Sequence, residues 1–581
     1  MTDSRPSTAA PPSSRVPHWF LPAVFFLLLS ILLVLPFFWL GTASGHDFEF
    51  HAANWFDVAY QWKHGTLYPR WTSWTNHGFG EPRFIFYPPL SWVLGAALTI
   101  LLPGPAVPIV YIVLVQTFAG LSAYVLLRNL ASRHAAILGA AFYAMNPNAL
   151  LITYMRSDFA EQLACAFFPL LLLAALRLAN LLGDSHTRSS TVLFAVSFAA
   201  VWLSNAPAGV LASYSMALLF SCVALFERSW RPLLWAGGGL ALGLGLTSFY
   251  LLPAAYEQRW VNIGQALSAG LVPVENFLFT EGNDPEHTWF NWIASISAVS
   301  LMLVLGLTAL ASRRFSAVST RPERQRATSM ALLLLGTAAS LLTLRVTLPL
   351  WTYLPKLRFV QFPWRAMSVI ALVAAYFLAL AVERPRGWLW FAVLLALSVP
   401  LAGFQVTNTW WDDDEMPTMR GAVTSGTGFD GTDEYDPLGD DHFDLPAEAP
   451  LVRILAPGDE QDSPAPKANV AVLRWSPEHK EIHVDIRTPG RVALRLLDYP
   501  AWRVLLNGKR ISPEHPDNSD QMVIPVEPGS SDIRVDFERT RDRKLGLLLS
   551  TLSALLAAFL LASRRRKSDS RVLRNRLSAV D

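Results

Sequence analysis

The chain has 581 residues, of which 52% are hydrophobic and only 16% charged, with a mean hydropathy of +0.32. A soluble chain of this length carries about 25% charged residues, so these proportions exclude an ordinary globular protein and point to a polytopic membrane protein. The net charge of +2 identifies no partner, because the charges are segregated along the chain. The two cysteines, Cys165 and Cys222, both fall in apolar runs, which argues against a disulfide framework or a Cys-based metal centre.

In chain order, a tail over 1–18 carries Arg5 and Arg15 and precedes a membrane domain over 19–405. Many of its apolar runs approach the roughly 20 residues that cross a bilayer. Helices are predicted near 19–41, 106–127, 135–151, 162–181, 191–205, 209–226, 232–252, 291–311, 328–344, 366–382 and 387–405. A last one, 544–562, follows much later. The first run exceeds the signal-peptide core of about 7–15 residues and lacks a clear small-x-small cleavage site, so it reads as a retained span.

The run 87–102, YPPLSWVLGAALTILL, decides the orientation. As a full span it places Arg128 and Arg133 outside and inverts most later loops. As a half-helix dipping into the outer leaflet it leaves every basic loop in the cytoplasm, as the positive-inside rule favours. Those loops include Arg188, Arg228, Arg231, the cluster from Arg313 to Arg326, and the basic tail 563–581. About 12 transmembrane helices with both termini cytoplasmic result. The outer loops are then 42–105, 152–161, 253–290 and 345–365, and 406–543 is a separate extracytoplasmic domain. Between 406 and 470 that domain has 15 Asp/Glu against 3 Lys/Arg and reads as an acidic, loop-like linker. From about 468 the pattern alternates with period two, and Asn507-Gly508 is a hairpin signal. We read a small β-sandwich that folds without the membrane part.

The predicted membrane cores contain no Asp, Glu, Lys or Arg, which counts against an ion-coupled transporter. Polar chemistry gathers instead at the outer helix ends. The first group is His46, Asp47, Glu49 and His51, with Asp57 downstream. A carboxylate there can take the proton from an acceptor hydroxyl or hold a divalent cation against a phosphate. The plainer alternative is capping of the segment after the first span. His46 and His51 are five apart, not the i,i+4 spacing of a helical zinc pair. The second group is Arg156, Asp158 and Glu161, where Arg156 suits bidentate phosphate binding or an internal pair with Glu161. The third is Lys356, Arg358, Gln361, Trp364 and Arg365, suited to a lipid phosphate or to interfacial anchoring. The acidic run from Asp412 to Glu415 lacks EF-hand spacing and reads as solvated linker. No phosphate-cradling glycine loop, GxSxG or HExxH occurs, and the basic tail reads as a topology and lipid element, with no nucleic-acid partner.

These motifs carry a resemblance. The residues from Gly45 to His51, Gly65-Thr66-Leu67-Tyr68-Pro69-Arg70-Trp71, Gly78-Phe79-Gly80, Phe86-Tyr87-Pro88-Pro89-Leu90, Tyr154-Met155-Arg156 and Gln361-Phe362-Pro363-Trp364-Arg365 resemble the bacterial pyruvoyl-tetrahydropterin-synthase-related membrane proteins. Nothing in the sequence suggests a pterin-binding enzyme. That family is similar to the C-type glycosyltransferase (GT-C) superfamily, which implies an α-helical polytopic fold in the bacterial inner membrane. It also implies a polyprenyl-phosphate-linked sugar as donor, membrane lipid around it, and an extracytoplasmic acceptor such as an envelope glycan or glycolipid. Asp47 maps to the family's base or metal ligand. Glu49 or Glu161 is then a metal ligand or orienting acid, and Arg156, Arg358 and Arg365 bind the carrier phosphate. His46, His51, Asp158, Glu161 and Gln361 support them. Asp47, Glu49 and Glu161 are the candidate ligands of a divalent cation, Mg or Mn. A lipid-carrier flippase and a non-catalytic envelope scaffold are the alternatives.

The orientation has a direct test. Tags at both termini should be accessible only from the cytoplasm, and a tag near residue 430 only from outside. A cytoplasmic signal at 430 would reverse every loop assignment above.

Overall fold

The computed structural model describes residues 19–182, 187–282, 284–312, 322–383, 387–412, 414–438, 445–457, 466–515 and 519–577. The expected tail 1–18, Asp413 of the acidic run and part of the Arg313 to Arg326 cluster lie outside the described residues. Helices stand at all the expected span positions. Among the described residues, nine are long and apolar enough to cross a membrane, or ten if the pair Glu323–Leu342 and Arg345–Tyr353, bent by 93°, is one span. The other two positions hold Thr187–Ser204, whose first turn is polar, and Trp388–Thr407.

Burial ranks these helices. In Phe159–Leu178 and Pro363–Val382, 83% and 94% of the apolar window is buried, against 28% for Phe20–Leu40 and 11% for Arg541–Ser563. The first two are therefore central pillars, and the last two face lipid along most of their length. Both pillars begin on one face of the bundle, and both begin with a charged residue inside the protein: Glu161 and Arg365.

The run expected to dip into the outer leaflet is the helix Pro89–Leu101. Its 13 residues rise about 20 Å at 1.5 Å each, short of the roughly 30 Å hydrocarbon core. Pro88 lines a cavity at one end. Just past the other end, a Cβ on Gly104 would lie 3.7 Å from Met416 of the helix Glu415–Ser425. Both ends therefore meet elements of the same face. Glu415–Ser425 itself corrects a prediction, because that acidic stretch was expected to be loop. Met416 is buried and fixes the helix against the helical core.

The C-terminal strands form two antiparallel sheets. One has the order Ala468–Ser476, His479–Ile486, Gly529–Phe537, Trp502–Leu506, Lys509–Ile511, and the other Val452–Leu455, Gly490–Leu497, Gln521–Val526. Alternation sets the faces: Ile482, Val484 and Ile486 point inward while His483 pairs with Asp532 at 2.7 Å outside. Asn507 and Gly508 have φ of 49° and 77°, the left-handed pair a two-residue hairpin turn requires.

The sandwich expected to fold without the membrane part shares its core with the first loop: Trp71, Phe79, Ile85 and Phe86 pack with Val484, Leu494, Ile524 and Val535. Trp71 lies 5.4 Å from Trp502 and 5.8 Å from Phe537, ring centre to ring centre. Below, Arg543 places two bonds of 2.6 Å on Glu257, which also accepts from the Tyr499 hydroxyl at 2.7 Å. These bonds tie the sandwich to the helices Arg231–Glu257 and Arg541–Leu577.

Trp71→Ala in the full chain should therefore unfold the sandwich, although Trp71 lies over 370 residues before its first strand. Removing a fully buried aromatic costs about 3–5 kcal/mol. Limited proteolysis should cut the sandwich strands in Trp71→Ala and spare them in Leu473→Ala, whose side chain is exposed. Equal protection in both would mean that the two cores are separable.

Candidate active site

The site begins where two backbone segments touch. Ser157, in the left-handed conformation at φ 52°, donates its hydroxyl to Ala43 O at 2.7 Å and accepts from Gly45 N at 3.1 Å. Asp47 N then donates to Arg156 O at 2.8 Å. A Cβ on Gly45 would stand 2.5 Å from Arg156 C and Met155 O, so only glycine lets the chains approach this closely. Arg156 ends a six-residue π-helical turn, Leu151–Arg156, a form that often marks functional positions.

This contact delivers Asp47 to Arg156. Asp47 precedes the helix Phe48–Lys63 but makes no side-chain cap; its Oδ2 takes Arg156 Nη2 at 2.5 Å instead. The same guanidinium reaches Asp158 Oδ2 at 3.0 Å and Glu161 Oε2 at 2.6 Å. Asp158 caps Phe159–Leu178 by accepting from Glu161 N at 2.8 Å. Arg365 closes the network from the second pillar, 3.0 Å from Glu161 Oε2 and 3.5 Å from Asp158 Oδ2. Gln361 turns the chain at φ 65° and accepts from Arg365 at 3.2 Å. The guanidinium of Arg156 lies 5.1 Å from the Trp364 ring centre, and that of Arg365 lies 4.9 Å from that of Phe362.

Three carboxylates thus share two guanidiniums. Asp158 and Glu161 are buried, whereas 35% of the Asp47 side chain is exposed. Burial alone would raise the Asp158 carboxyl, but Arg156 and Arg365 hold it well below the usual range. The accessible acid of the network is Asp47.

It opens on a cavity of about 830 Å³. Arg156, Asp158 and Arg365 line it with Asp47, Lys356 also belongs to the lining, and Trp202, Val210, Leu251 and Phe359 supply apolar surface. Lys356 is exposed, and its Nζ donates to Gln258 Oε1 at 3.1 Å. His46 and Gln361 also line the cavity. His46 packs edge-on to Phe290 at 4.9 Å. His51 lies behind, buried, with Nε2 3.6 Å from Asp158 Oδ1.

Two assignments change. Glu49 is exposed and does not line the cavity. Two positions on from Asp47, it is rotated about 200° around the helix. Arg358 is exposed beside Phe359, outside the lining, whereas Lys356 lines the cavity. Arg156, expected on phosphate, is occupied by three carboxylates. Glu161 is buried between two arginines, an orienting acid. The expected divalent cation finds no fitting donor set: the Asp47–Glu161 group is bonded to arginine, Glu49 points away, and no group of three His, Cys, Asp or Glu among the described residues could hold a metal.

Other site residues went unread in the sequence. Glu81 and Arg83, in the aromatic-rich stretch between Gly80 and Pro88, form a buried pair at 2.5 Å. Glu81 Oε2 accepts from Thr432 N at 3.0 Å, and Arg83 donates to Thr432 Oγ1 at 2.5 Å and Asn54 Oδ1 at 3.1 Å. Burial, opposed by Arg83, pushes Glu81 up to about 7. Asp57, read only as downstream of the first group, accepts from Gln61 at 2.9 Å and Ser73 N at 2.6 Å, and burial raises it to about 6. Charged residues set among aromatics were the available signal.

Comparison with solved structures gives distant likenesses. One is oligosaccharyltransferase AglB from Archaeoglobus fulgidus, in complex with an inhibitory peptide and a dolichol-phosphate: 15% identity, 68% of this chain, 56% of that one, TM-score 0.42. Another is arabinofuranosyltransferase AftD from Mycobacteria: 18% identity, 67% of this chain, 28% of that one, TM-score 0.42. The chain spans about half the length of the first and about a quarter of the second. No curated protein sequence matches the chain. The family model described as "6-pyruvoyl-tetrahydropterin synthase related domain; membrane protein" matches residues 84–410, more than half of the sequence, and the chain belongs to that family.

Proposed function

We propose that the chain is an integral membrane glycosyltransferase of the GT-C kind. It would move a sugar from a polyprenyl-phosphate carrier to an extracytoplasmic acceptor hydroxyl, across the bacterial inner membrane's outer face. The observation that carries this reading is a half-exposed carboxylate, Asp47, sharing one cavity with Lys356 and an apolar wall. The wall suits a polyprenyl chain, and the cation suits its phosphate.

In the proposed step the acceptor oxygen attacks the sugar's anomeric carbon while its proton passes to Asp47. The new carbon–oxygen bond forms as the bond to the carrier phosphate breaks, and the phosphate departs with the electron pair. Lys356 meets the developing charge, an electrostatic role. Arg156 orients Asp47 and stays fixed because Asp158 and Glu161 hold it from behind. No step is routed through a metal, since the donors do not assemble one.

Asp47→Asn keeps size and hydrogen bonding but removes the base. Sugar loss from a polyprenyl-phosphate donor in membranes should fall by about 10²–10⁴-fold, at unchanged protein abundance. Full activity at equal expression would remove Asp47 from the chemistry. Arg156→Ala leaves two buried carboxylates short of a partner, an effect of about 3–5 kcal/mol, so abundance should drop with activity. Arg156→Lys retains charge without the fork and should be impaired less; equal loss in both would show that only the fork matters.

A further inference from the structure

A second part of the cavity lining differs chemically from the Asp47 group. It consists of Thr432, Glu434 and Tyr435, from the segment between the last pillar-side helix and the sandwich. That segment is pinned on both sides of Glu434. Before it, Thr432 bonds Glu81 and Arg83. After it, Asp436 accepts from Asn76 Nδ2 at 2.7 Å and its carbonyl from Asn262 N at 3.0 Å. The Tyr435 ring stacks on Phe86 at 5.9 Å with the planes 4° apart. Two residues are thus held against the cavity, and the Glu434 carboxyl is engaged by its own backbone N–H. Arg83 gives its guanidinium to Glu81, Asn54 and Thr432, and among the described residues no side chain hydrogen-bonds the Glu434 carboxyl or the Tyr435 hydroxyl.

We infer that Glu434 and Tyr435 form a subsite for a neutral, hydroxyl-rich ring, resting on the transferase reading above. A phosphate is disfavoured there, because Glu434 stands beside Glu81 and Asp433 and the nearby Arg83 is already bonded to Glu81. A sugar hydroxyl is not: the carboxyl accepts from it, and the phenol both donates and accepts. Burial above all, with Glu81 close by, pushes Glu434 up to about 7, so near neutrality the acid also donates. The ring is then held at Glu434 and Tyr435, while Lys356 in the same lining is left for the phosphate. The ring can come from the carrier-linked donor or from a saccharide acceptor.

Binding to the full-length protein in lipid nanodiscs separates these cases. The probes are undecaprenyl phosphate, undecaprenyl phosphate linked to glucose, mannose or galactose, and the three methyl hexosides. Glu434→Ala frees only its own backbone N–H, and Tyr435→Phe keeps the stack on Phe86, so both should fold. If the ring is the donor's, both variants weaken a sugar-bearing carrier about tenfold, the scale of one lost hydrogen bond to a charged group, and leave the bare carrier unchanged. If it is the acceptor's, both carriers bind as in wild type and the methyl hexoside is lost. Unchanged binding of every probe, equal weakening of bare and sugar-bearing carrier, or a wild type that discriminates no sugar overturns the subsite. A wild type that binds neither carrier overturns the transferase reading itself.

Discussion

One guanidinium organises the site. Arg156 touches Asp47, Asp158 and Glu161, which come from the loop after the first helix and from the start of a central pillar. Burying charge is costly, and a buried ion pair is retained only when geometry and further hydrogen bonds offset the desolvation. Arg365 supplies that offset from the second pillar, and the Asp158 cap supplies the rest. The two most buried helices are therefore registered against each other, and against the first loop, by charge rather than by apolar packing alone. Apolar surfaces can slide; a fork against three carboxylates cannot.

A second constraint extends that rigidity outward. Trp71 and Phe79 belong to the first loop in sequence and to the sandwich core in space. Arg495 donates to the His77 and Gly426 carbonyls, joining sandwich, loop and linker. Asp57, held by its own loop amides, fixes the turn that carries Trp71. The sandwich is thus a wall of the same body as the membrane part. A site assembled from a loop, two pillars and a linker needs such bracing, because small misplacements of reacting groups are expensive in rate.

Much of this was legible in the sequence where a single local rule decides. A bilayer demands continuous apolar runs, so the helices stand where hydropathy puts them, and Asn507-Gly508 specifies its hairpin by backbone conformation. Charges at helix mouths marked Asp47, Arg156 and Arg365, and these do converge. Local rules failed where rotation or distance decides. Glu49 and Arg358 sit two positions from residues that face the cavity, and helical or turn geometry sends them elsewhere. Glu161 was read as a partner that orients Arg156 or as a metal ligand, and it does pair with Arg156, but its second arginine is 204 residues away and left no local signal. The shared core of Trp71 and the strands after 450 leaves no local trace, because each side looks adequately apolar alone. The helix Glu415–Ser425 hid behind its acidic composition.

The imbalance of the network explains why its accessible member is an acid. Had each carboxylate its own guanidinium, the cluster would be neutral and serve only as a strut. With three carboxylates and two guanidiniums, negative charge remains, and burial decides where it is tolerated. Asp158 and Glu161 lie in protein and are matched from two sides. Asp47 has one guanidinium and a cavity, so the residual charge is best solvated there. The arrangement thus keeps one carboxylate both oriented and open, which is what proton removal from an incoming hydroxyl requires. The same bonds that brace the pillars hold the candidate base in place, so folding of the bundle and readiness of the site are one condition.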